Sequence, residues 1–139
     1  MVISRRRIRV DWGHCDPAGI VFYPNYFRWF DECTSALFES AGLPLPKLFR
    51  DHGLKGFPLL DARASFSAAS GFGDDLDCEA SVSEWNAKTL KVHHRFLRDG
   101  KLMVEGWELR VCAIAHPDDP NRIKAAPIPE EVKRRLGGG

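Results

Sequence analysis

The pattern of apolar and polar positions in the first third of the chain predicts one strand followed by two helices. Ile8, Val10 and Trp12 alternate with charged residues, which is the period of a strand buried on one face. A long helix is predicted over residues 24–41, because it opens with a proline, whose missing N–H would be unpaired there anyway, and a glycine follows its end. A shorter helix is predicted over residues 45–53.

The middle of the chain changes to a period of two, which predicts three further strands before the last long one. The Asp-Gly pair in "RDGK" predicts a tight hairpin turn between the last two strands. The alternating positions are Ala62, Ala64, Phe66 and Ala68; Leu76, Cys78, Ala80 and Val82; and Leu90, Val92, His94 and Phe96.

The last long strand interrupts its own apolar pattern. Leu102 and Val104 share one face, but the apolar residues after them fall on the other face. Gly106 lies at the change of phase, so a β-bulge is predicted there. Residues 116–122 predict a loop. Residues 129–136 predict a short terminal helix with its acids first and its bases last, as the helix dipole favours.

Length and composition favour a single α+β domain over residues 1–139, with a mainly antiparallel sheet. Hydrophobic residues make up 44% of the chain and charged residues 28%, which are ordinary globular values. A formal net charge of +1 argues against a nucleic-acid-binding protein. No apolar run approaches the roughly 20 residues of a membrane span, and the start lacks the apolar core of a signal peptide. We therefore expect no membrane partner and a cytoplasmic location.

The cysteines and histidines form no metal-binding pattern. The four cysteines lie far apart without a C-x-x-C pair, which is typical of buried thiols in a reducing compartment. His93 and His94 are adjacent on a predicted strand and so point to opposite faces of the sheet. No metal site is predicted.

The long helix carries two distinct apolar faces. Its core face is the stripe formed by Tyr26, Phe30, Cys33 and Leu37. A second sector, in which Phe27 and Phe38 flank the carboxylate of Asp31, is unusual because two large aromatic side chains should not be left in water. Two interpretations stay open: a widened core face with Asp31 at its edge, or a lining shared between a partner subunit and a ligand pocket.

A single carboxylate precedes the long helix. Asp16 stands next to Pro17 and Gly19, which favour an extended residue and a tight turn. The N–H groups of Tyr23, Asn25 and Tyr26 are the donors near the helix start. Asp16 either holds the loop by turn and capping bonds or acts as nucleophile or general base beside an anion-stabilising site. The loop alone does not decide between the two roles.

The segment "DWGHCDPAGIVFYPNYFRWFDE" resembles the signature of the hot-dog-fold acyl-CoA thioesterases, and within them the 4-hydroxybenzoyl-CoA thioesterase branch. The resemblance extends over nearly the whole chain, including "AGLP", "ASF", "GDDL" and "EWNAKT". It implies a curved antiparallel sheet wrapped around the long helix. It also implies subunits that pair edge to edge into a homodimer, with active sites at the interface, and dimers that pair into a homotetramer.

The resemblance also implies roles for five residues. Asp16 matches the catalytic carboxylate, which attacks the thioester carbonyl or activates water. The backbone N–H of Tyr23 matches the oxyanion donor. Asp31 matches the acceptor of the phenolic hydroxyl of the substrate, with Phe27 beside the ring. Lys88 matches a basic cluster that meets the phosphates of coenzyme A, which is part of the substrate; no cofactor is implied.

The sequence departs from the resemblance at several of these places. Asn86 and Ala87 occupy positions where the closest relatives carry arginines, and His14 stands where an acidic residue is common. Two other functions are therefore kept beside hydrolysis of an aromatic acyl-CoA. One is hydrolysis of short aliphatic acyl-CoA thioesters by the same fold, and the other is a non-catalytic module that binds acyl-CoA.

Overall fold

A long helix packed against one face of an antiparallel sheet forms the centre of the molecule. The computed structural model describes residues 1–138. The five-stranded sheet has the order β1-β3-β4-β5-β2, and every pairing in it is antiparallel. Its strands are β1 (Ser4–Arg9), β2 (Leu59–Phe66), β3 (Asp75–Trp85), β4 (Thr89–Arg98) and β5 (Lys101–Val111). The helices are α1 (Pro24–Ser40), α2 (Leu45–His52) and α3 (Glu130–Arg135).

The predicted helices and central strands are confirmed. The apolar stripe of α1 is buried, with Phe30 and Leu37 fully inaccessible to solvent. The inward sets predicted for β3 and β4 are buried throughout. Asp99 and Gly100 both have positive φ, of 50° and 80°, which is the backbone of the predicted Asp-Gly hairpin turn. The apolar residues of α1, β3 and β4 that are buried in this way belong to one hydrophobic cluster between helix and sheet. A single domain over residues 1–139 stays a prediction.

Two local predictions are wrong. Trp12 does not continue β1, because the chain leaves the sheet after Val10 and enters a 3-10 turn, Trp12–His14, with Trp12 exposed. The segment predicted as a loop over residues 116–122 instead belongs to a two-stranded hairpin formed by β6 (Ala113–His116) and β7 (Asp119–Ala125). Alternation of polar and apolar residues is weak in this hairpin, since β7 is largely exposed.

The predicted bulge at Gly106 is also wrong. Against β2, strand β5 keeps one register from Val104 to Leu109, and its irregularity against β4 lies at Met103. The inward positions after Gly106 are therefore Glu108 and Arg110, which are 1% and 7% exposed. The change of apolar phase in the sequence marks charged residues in the interior, not an extra residue.

Gly106 is explained by close packing with the helix. A Cβ atom at this position would lie 2.3 Å from Cζ of Phe30. The ring of Phe30 stacks on His94, with centroids 4.7 Å apart, and packs edge-on against Phe96 at 5.2 Å. Because both neighbours are fully buried, the ring has little room to move.

The edge of the sheet formed by β2 is exposed. Strand β2 pairs with β5 on one side, and its other side forms the end of the sheet. Seven of its eight residues are exposed, and Leu59, Leu60 and Phe66 expose about half of their side-chain surface or more. Such an edge presents unpaired backbone groups and apolar surface to another chain. None of the helices in residues 1–138 is long and apolar enough to cross a membrane.

The close approach of Gly106 to Phe30 predicts a specific cost for any side chain at this position. Gly106→Ala should lower the free energy of unfolding by roughly 1–3 kcal/mol, because the added methyl group forces the buried ring out of its packing. Gly13→Ala is the matched control, since a Cβ there meets nothing within 4 Å. Urea unfolding of both variants measures the difference. Equal stabilities of the two variants would contradict the packing role.

Candidate active site

The loop that carries Asp16 is fixed at both ends before the helix begins. The N–H of Asp16 donates to the carbonyl of Ile20 at 2.9 Å, and the N–H of Gly19 donates to the carbonyl of Asp16 at 2.9 Å. Gly19 has a φ of +81°, a conformation that costs glycine nothing and other residues strain. The loop is also connected to the segment between β2 and β3, because Ile20 forms a β-bridge with Gly71. The carboxylate of Asp16 is thus held on a tight turn.

The side chain of Asp16 combines a structural bond with a free oxygen. Its Oδ1 accepts the N–H of Ala18 at 2.9 Å, which is the turn bond predicted from the sequence. Within residues 1–138, no hydrogen bond involves Oδ2. The residue is half-buried. The turn bond therefore orients the carboxylate without consuming its second oxygen.

The start of α1 leaves one backbone donor unpaired. The N–H of Asn25 donates to the carbonyl of Phe22 at 2.9 Å, and the N–H of Tyr26 donates to the carbonyl of Tyr23 at 3.1 Å. Pro24 has no N–H. Of the donors that the sequence suggested, only the N–H of Tyr23 has no backbone acceptor within the described residues. This N–H lies at the positive end of the helix dipole, where it can stabilise an anion.

His14 belongs to the scaffold of this loop. Its Nδ1 accepts the N–H of Asp11 at 2.9 Å, so this nitrogen carries no proton in the observed arrangement. The ring packs edge-on against Trp29 with centroids 5.1 Å apart. The carbonyl of His14 accepts hydrogen bonds from the N–H of Phe22 and from Nδ2 of Asn25, at 2.8 and 2.9 Å. These bonds fasten the loop to the helix start.

A cavity of about 220 Å³ adjoins the Tyr23 end of the helix. We call it the loop cavity. It is closed on one side by the segment that follows β2, residues 67–70, and by Phe66 at the end of that strand. Its remaining lining is formed by Ile20, Val21, Tyr23 and Tyr26.

A larger cleft of about 430 Å³ lies on the second face of α1, next to the start of β2. We call it the helix cleft. Thr34 and Phe38 are buried while Asp31 is exposed at the cleft, which fits a widened core face with Asp31 at its edge. A lining shared between a partner subunit and a ligand pocket stays a prediction. The lining is mostly apolar with three charged groups, and includes Asp31, Phe38, Phe49, Lys55, Phe57 and Arg110.

Behind the helix cleft lies a buried polar network that sequence reasoning missed. Nη2 of Arg110 donates to Oε2 of Glu108 at 2.6 Å and to Oδ1 of Asp31 at 2.8 Å. Oε1 of Glu108 bonds Nε2 of His94 at 2.9 Å and accepts a hydrogen bond from the hydroxyl of Thr34. The signal was present in the sequence as the change of apolar phase on β5, which placed Glu and Arg at inward positions.

Burial and pairing perturb the ionisation of this network strongly. Burial alone would raise the pKa of Glu108, but hydrogen bonds from His94 and Arg110 outweigh it and hold that pKa at about 2. Burial lowers the pKa of His94, and Glu108 offsets only part of this effect. Burial would also lower the pKa of Arg110, but its bonds to Glu108 and Asp31 reverse the direction. Glu108 and Arg110 thus stay ionised at neutral pH.

A comparison with known families identifies the fold. A profile of the thioesterase-like superfamily matches residues 10–136. The chain belongs to this superfamily. Its arrangement of one long helix against a five-stranded antiparallel sheet is the hot-dog fold of these enzymes, as the resemblance predicted.

Similar superfamily members are known in sequence and structure. The chain is 33% identical over 129 residues to 4-hydroxybenzoyl-CoA thioesterase from Pseudomonas sp. strain CBS-3, covering 88% of this chain and 89% of the relative. The structure of 4-hydroxybenzoyl CoA thioesterase from that strain has a TM-score of 0.88 at 30% identity, covering 96% and 98% of the two chains. A gentisyl-coenzyme A thioesterase structure has a TM-score of 0.81 at 31% identity, covering 96% and 99%.

Within one subunit, the site residues that the resemblance implies do not line a single cavity. Tyr23 lines the loop cavity and Asp31 the helix cleft. Asp16, Phe27 and Lys88 line neither of the two, although Ile20, on the loop that carries Asp16, lines the loop cavity. Phe27 is half-buried against Phe30, with ring centroids 5.7 Å apart. Lys88 is exposed in the turn after β3, whereas the loop of Asp16 adjoins the segment before β3. The eleven residues of β3 lie between the two, and an extended strand of this number of residues is about 33 Å long.

The network predicts how stability depends on pH. The unfolded chain protonates Glu108 near its ordinary pKa of 4.5, whereas the folded chain resists protonation down to about 2. Its contribution is therefore present above pH 4.5 and lost as the pH falls towards 2, an effect of about 3 kcal/mol. Burial also lowers the pKa of His94 in the folded chain. His94 therefore adds to the loss of stability of the folded state as the pH falls below 6.5, the ordinary pKa of a histidine.

Glu108→Gln should flatten the pH dependence below pH 4.5, since the variant lacks the depressed carboxylate. Urea unfolding at several pH values from about 7 to about 3 measures the slope. Glu84→Gln is the control, because Glu84 is exposed and pairs with Lys91 at the surface. If the free energy of unfolding falls equally with pH in wild type and in Glu108→Gln, the pKa of Glu108 is not lowered in the folded chain.

Proposed function

We propose that this chain hydrolyses an aromatic acyl-CoA thioester, with the carboxylate of Asp16 and the N–H of Tyr23 as the reacting machinery. The chain is an acyl-CoA thioesterase of the hot-dog fold; the acyl group and the residue roles are the proposal. Two observations carry it: the tight loop holds a carboxylate with one free oxygen, and the helix start that follows this loop has a backbone donor without a backbone acceptor.

The chemistry follows from this arrangement. Oδ2 of Asp16 attacks the thioester carbonyl carbon, the carbonyl oxygen becomes an oxyanion that accepts the N–H of Tyr23, and the C–S bond breaks to release the thiolate of coenzyme A. Water then hydrolyses the mixed anhydride and regenerates the carboxylate. In the alternative route, Asp16 takes a proton from water, which attacks directly. Thiolate is a good leaving group, so neither a metal nor another cofactor is proposed.

An aromatic acyl group is supported by the relatives and by the helix cleft. The relatives include enzymes named for 4-hydroxybenzoyl, gentisyl and 1,4-dihydroxy-2-naphthoyl thioesters, the last in Synechococcus sp. strain WH7803 at 27% identity over 92% of this chain and 84% of the relative. The cleft combines the rings of Phe38, Phe49 and Phe57 with the exposed carboxylate of Asp31, which suits a flat ring that ends in a hydroxyl.

The complete site is proposed to form in a homodimer. The helix cleft lies at the start of β2 and the loop cavity at its end. If two copies of β2 pair antiparallel about a two-fold axis, the start of each strand lies beside the end of the other. The pairing brings the helix cleft of one subunit to the Asp16 loop of its partner. Lys88 is proposed to meet the phosphates of coenzyme A at this interface. Pairing of dimers into a homotetramer stays a prediction.

Asp16→Asn tests the proposed chemistry. Turnover should fall by about a thousandfold or more, because the amide can keep the shape of the turn but neither attacks the carbonyl nor accepts a proton. Binding of a non-hydrolysable thioether analogue, measured by calorimetry, should stay within a few-fold of wild type. Asp77→Asn, at an exposed carboxylate paired with Arg7, is the control and should keep full activity. If the Asp16 variant retains a tenth of wild-type kcat, Asp16 has only a structural role.

A mixing experiment tests whether one site takes Asp16 and Asp31 from different subunits. Asp16→Asn subunits should be inactive, and Asp31→Leu subunits should lose their preference for 4-hydroxybenzoyl-CoA over benzoyl-CoA. After the two variants are unfolded together and refolded, mixed dimers contain one intact site. The mixture should then regain about a quarter of wild-type activity on 4-hydroxybenzoyl-CoA, since random pairing makes half of the dimers mixed.

The refolded single variants are the controls for the mixture, and sedimentation measures the assembly state. Absence of any recovery in a mixture that sediments as a dimer would mean that both carboxylates act within one subunit. An active monomer at micromolar concentration would contradict an interfacial site altogether.

A further inference from the structure

Arg110 lines the helix cleft together with Asp31 and keeps one N–H without an acceptor among the described residues. A guanidinium has five N–H groups, and four of those of Arg110 are engaged within residues 1–138. Nε and Nη2 both donate to Glu108, Nη2 also donates to Asp31, and Nη1 donates to the carbonyl of Phe57 at 2.9 Å. One N–H on Nη1 is left, on a residue that lines the cleft.

The position of Arg110 is strongly fixed. The residue is 7% exposed, and its side chain is held by a two-point bond to Glu108, which is itself 1% exposed and bonded to His94 and Thr34. Planar, bidentate pairing of this kind sets the direction of every remaining N–H. A ligand therefore meets a preorganised donor, and forming a bond to it costs little ordering entropy.

We propose that Arg110 is a specificity-determining residue of the acyl site, and that the cleft selects acyl groups whose distal substituent both donates to Asp31 and accepts from Arg110. The inference rests on the proposed function, and it narrows the substrate class to hydroxyaryl thioesters. Asp31 alone would accept any donor. The pair of Asp31 and Arg110 requires a group with both capacities.

Simple substituents at the distal ring position separate the two contacts. A hydroxyl donates and accepts. A methoxy group accepts but cannot donate, so it loses the contact to Asp31. An amino group on an acylated ring donates but accepts poorly, because its lone pair is delocalised into the ring, so it loses the contact to Arg110. A carboxylate cannot donate and is repelled by Asp31 and by Glu108 behind it.

The experiment measures kcat/KM for the 4-hydroxy, 4-methoxy and 4-amino derivatives of benzoyl-CoA. Wild type should prefer the hydroxy substrate over each of the others by about tenfold or more, the size expected when a charged hydrogen-bonding group is left without its partner. The hydroxy-to-methoxy ratio reports the contact with Asp31, and the hydroxy-to-amino ratio reports the contact with Arg110.

Variants should change the two ratios separately. Asp31→Asn should collapse the hydroxy-to-methoxy ratio, because the amide can donate to the methoxy oxygen. Arg110→Lys should collapse the hydroxy-to-amino ratio, because the shorter ammonium side chain cannot hold Glu108 and reach the substrate. Arg7→Met is the control: its guanidinium pairs with Asp77 on the surface, away from both cavities, and both ratios should stay at their wild-type values.

Glu108→Gln keeps the inference testable if Arg110→Lys does not fold. This variant retains Arg110 but weakens the bond that orients it, so the hydroxy-to-amino ratio should fall several-fold while thermal unfolding still shows a folded enzyme. A wild-type hydroxy-to-amino ratio near one, or a ratio unchanged in a folded Arg110 or Glu108 variant, overturns the role of Arg110. Absence of hydrolysis of every aryl thioester would instead refute the proposed function.

Discussion

The buried ion pair of Glu108 and Arg110 on β5 connects this strand to β4, to α1 and to the segment before β2. Glu108 binds His94 on β4 and Thr34 on α1, while Arg110 binds Asp31 on α1 and the carbonyl of Phe57 before β2. Removing two charges from water is expensive, so a buried pair is weak evidence for stability by itself. The contribution of this ion pair is to fix geometry. Strand, helix and the segment before β2 are fixed relative to one another at the wall of the helix cleft.

In the proposed function, the two cavities are two parts of one acyl-CoA site, which lie at opposite ends of the edge strand β2. The loop cavity adjoins the helix start, where the free donor of Tyr23 lies, and Ile20 of the Asp16 loop contributes to its lining. The helix cleft adjoins the opposite end of β2 and holds the charged groups that read the acyl substituent in our proposal. The proposed function thus assigns reaction and recognition to different ends of the same strand, and it accounts for the two separate cavities of a single subunit.

Much of the fold could be predicted from the sequence, because helix and strand periods are local properties. The boundaries of α1 followed from Pro24 and the glycine after the helix, and the buried sets of β3 and β4 from strict alternation. The prediction failed on β5, where an inward Glu and Arg imitate an outward phase; only tertiary pairing distinguishes a buried ion pair from a bulge. The turn bond of Asp16 was predictable from its neighbours, whereas the unpaired state of the Tyr23 N–H depends on where Phe22 and the helix carbonyls lie in space.

The open edge of β2 has a consequence for the newly made chain. An edge strand with exposed Leu59, Leu60 and Phe66 is a template for non-specific pairing and aggregation. The ion pair of Asp61 with Arg63, at 2.8 Å, places two opposite charges in the middle of this apolar strand. Charges at such positions act as gatekeepers, because a strand from an unrelated chain must desolvate them to pair. The apolar edge strand thus also carries its own protection against amyloid-like growth.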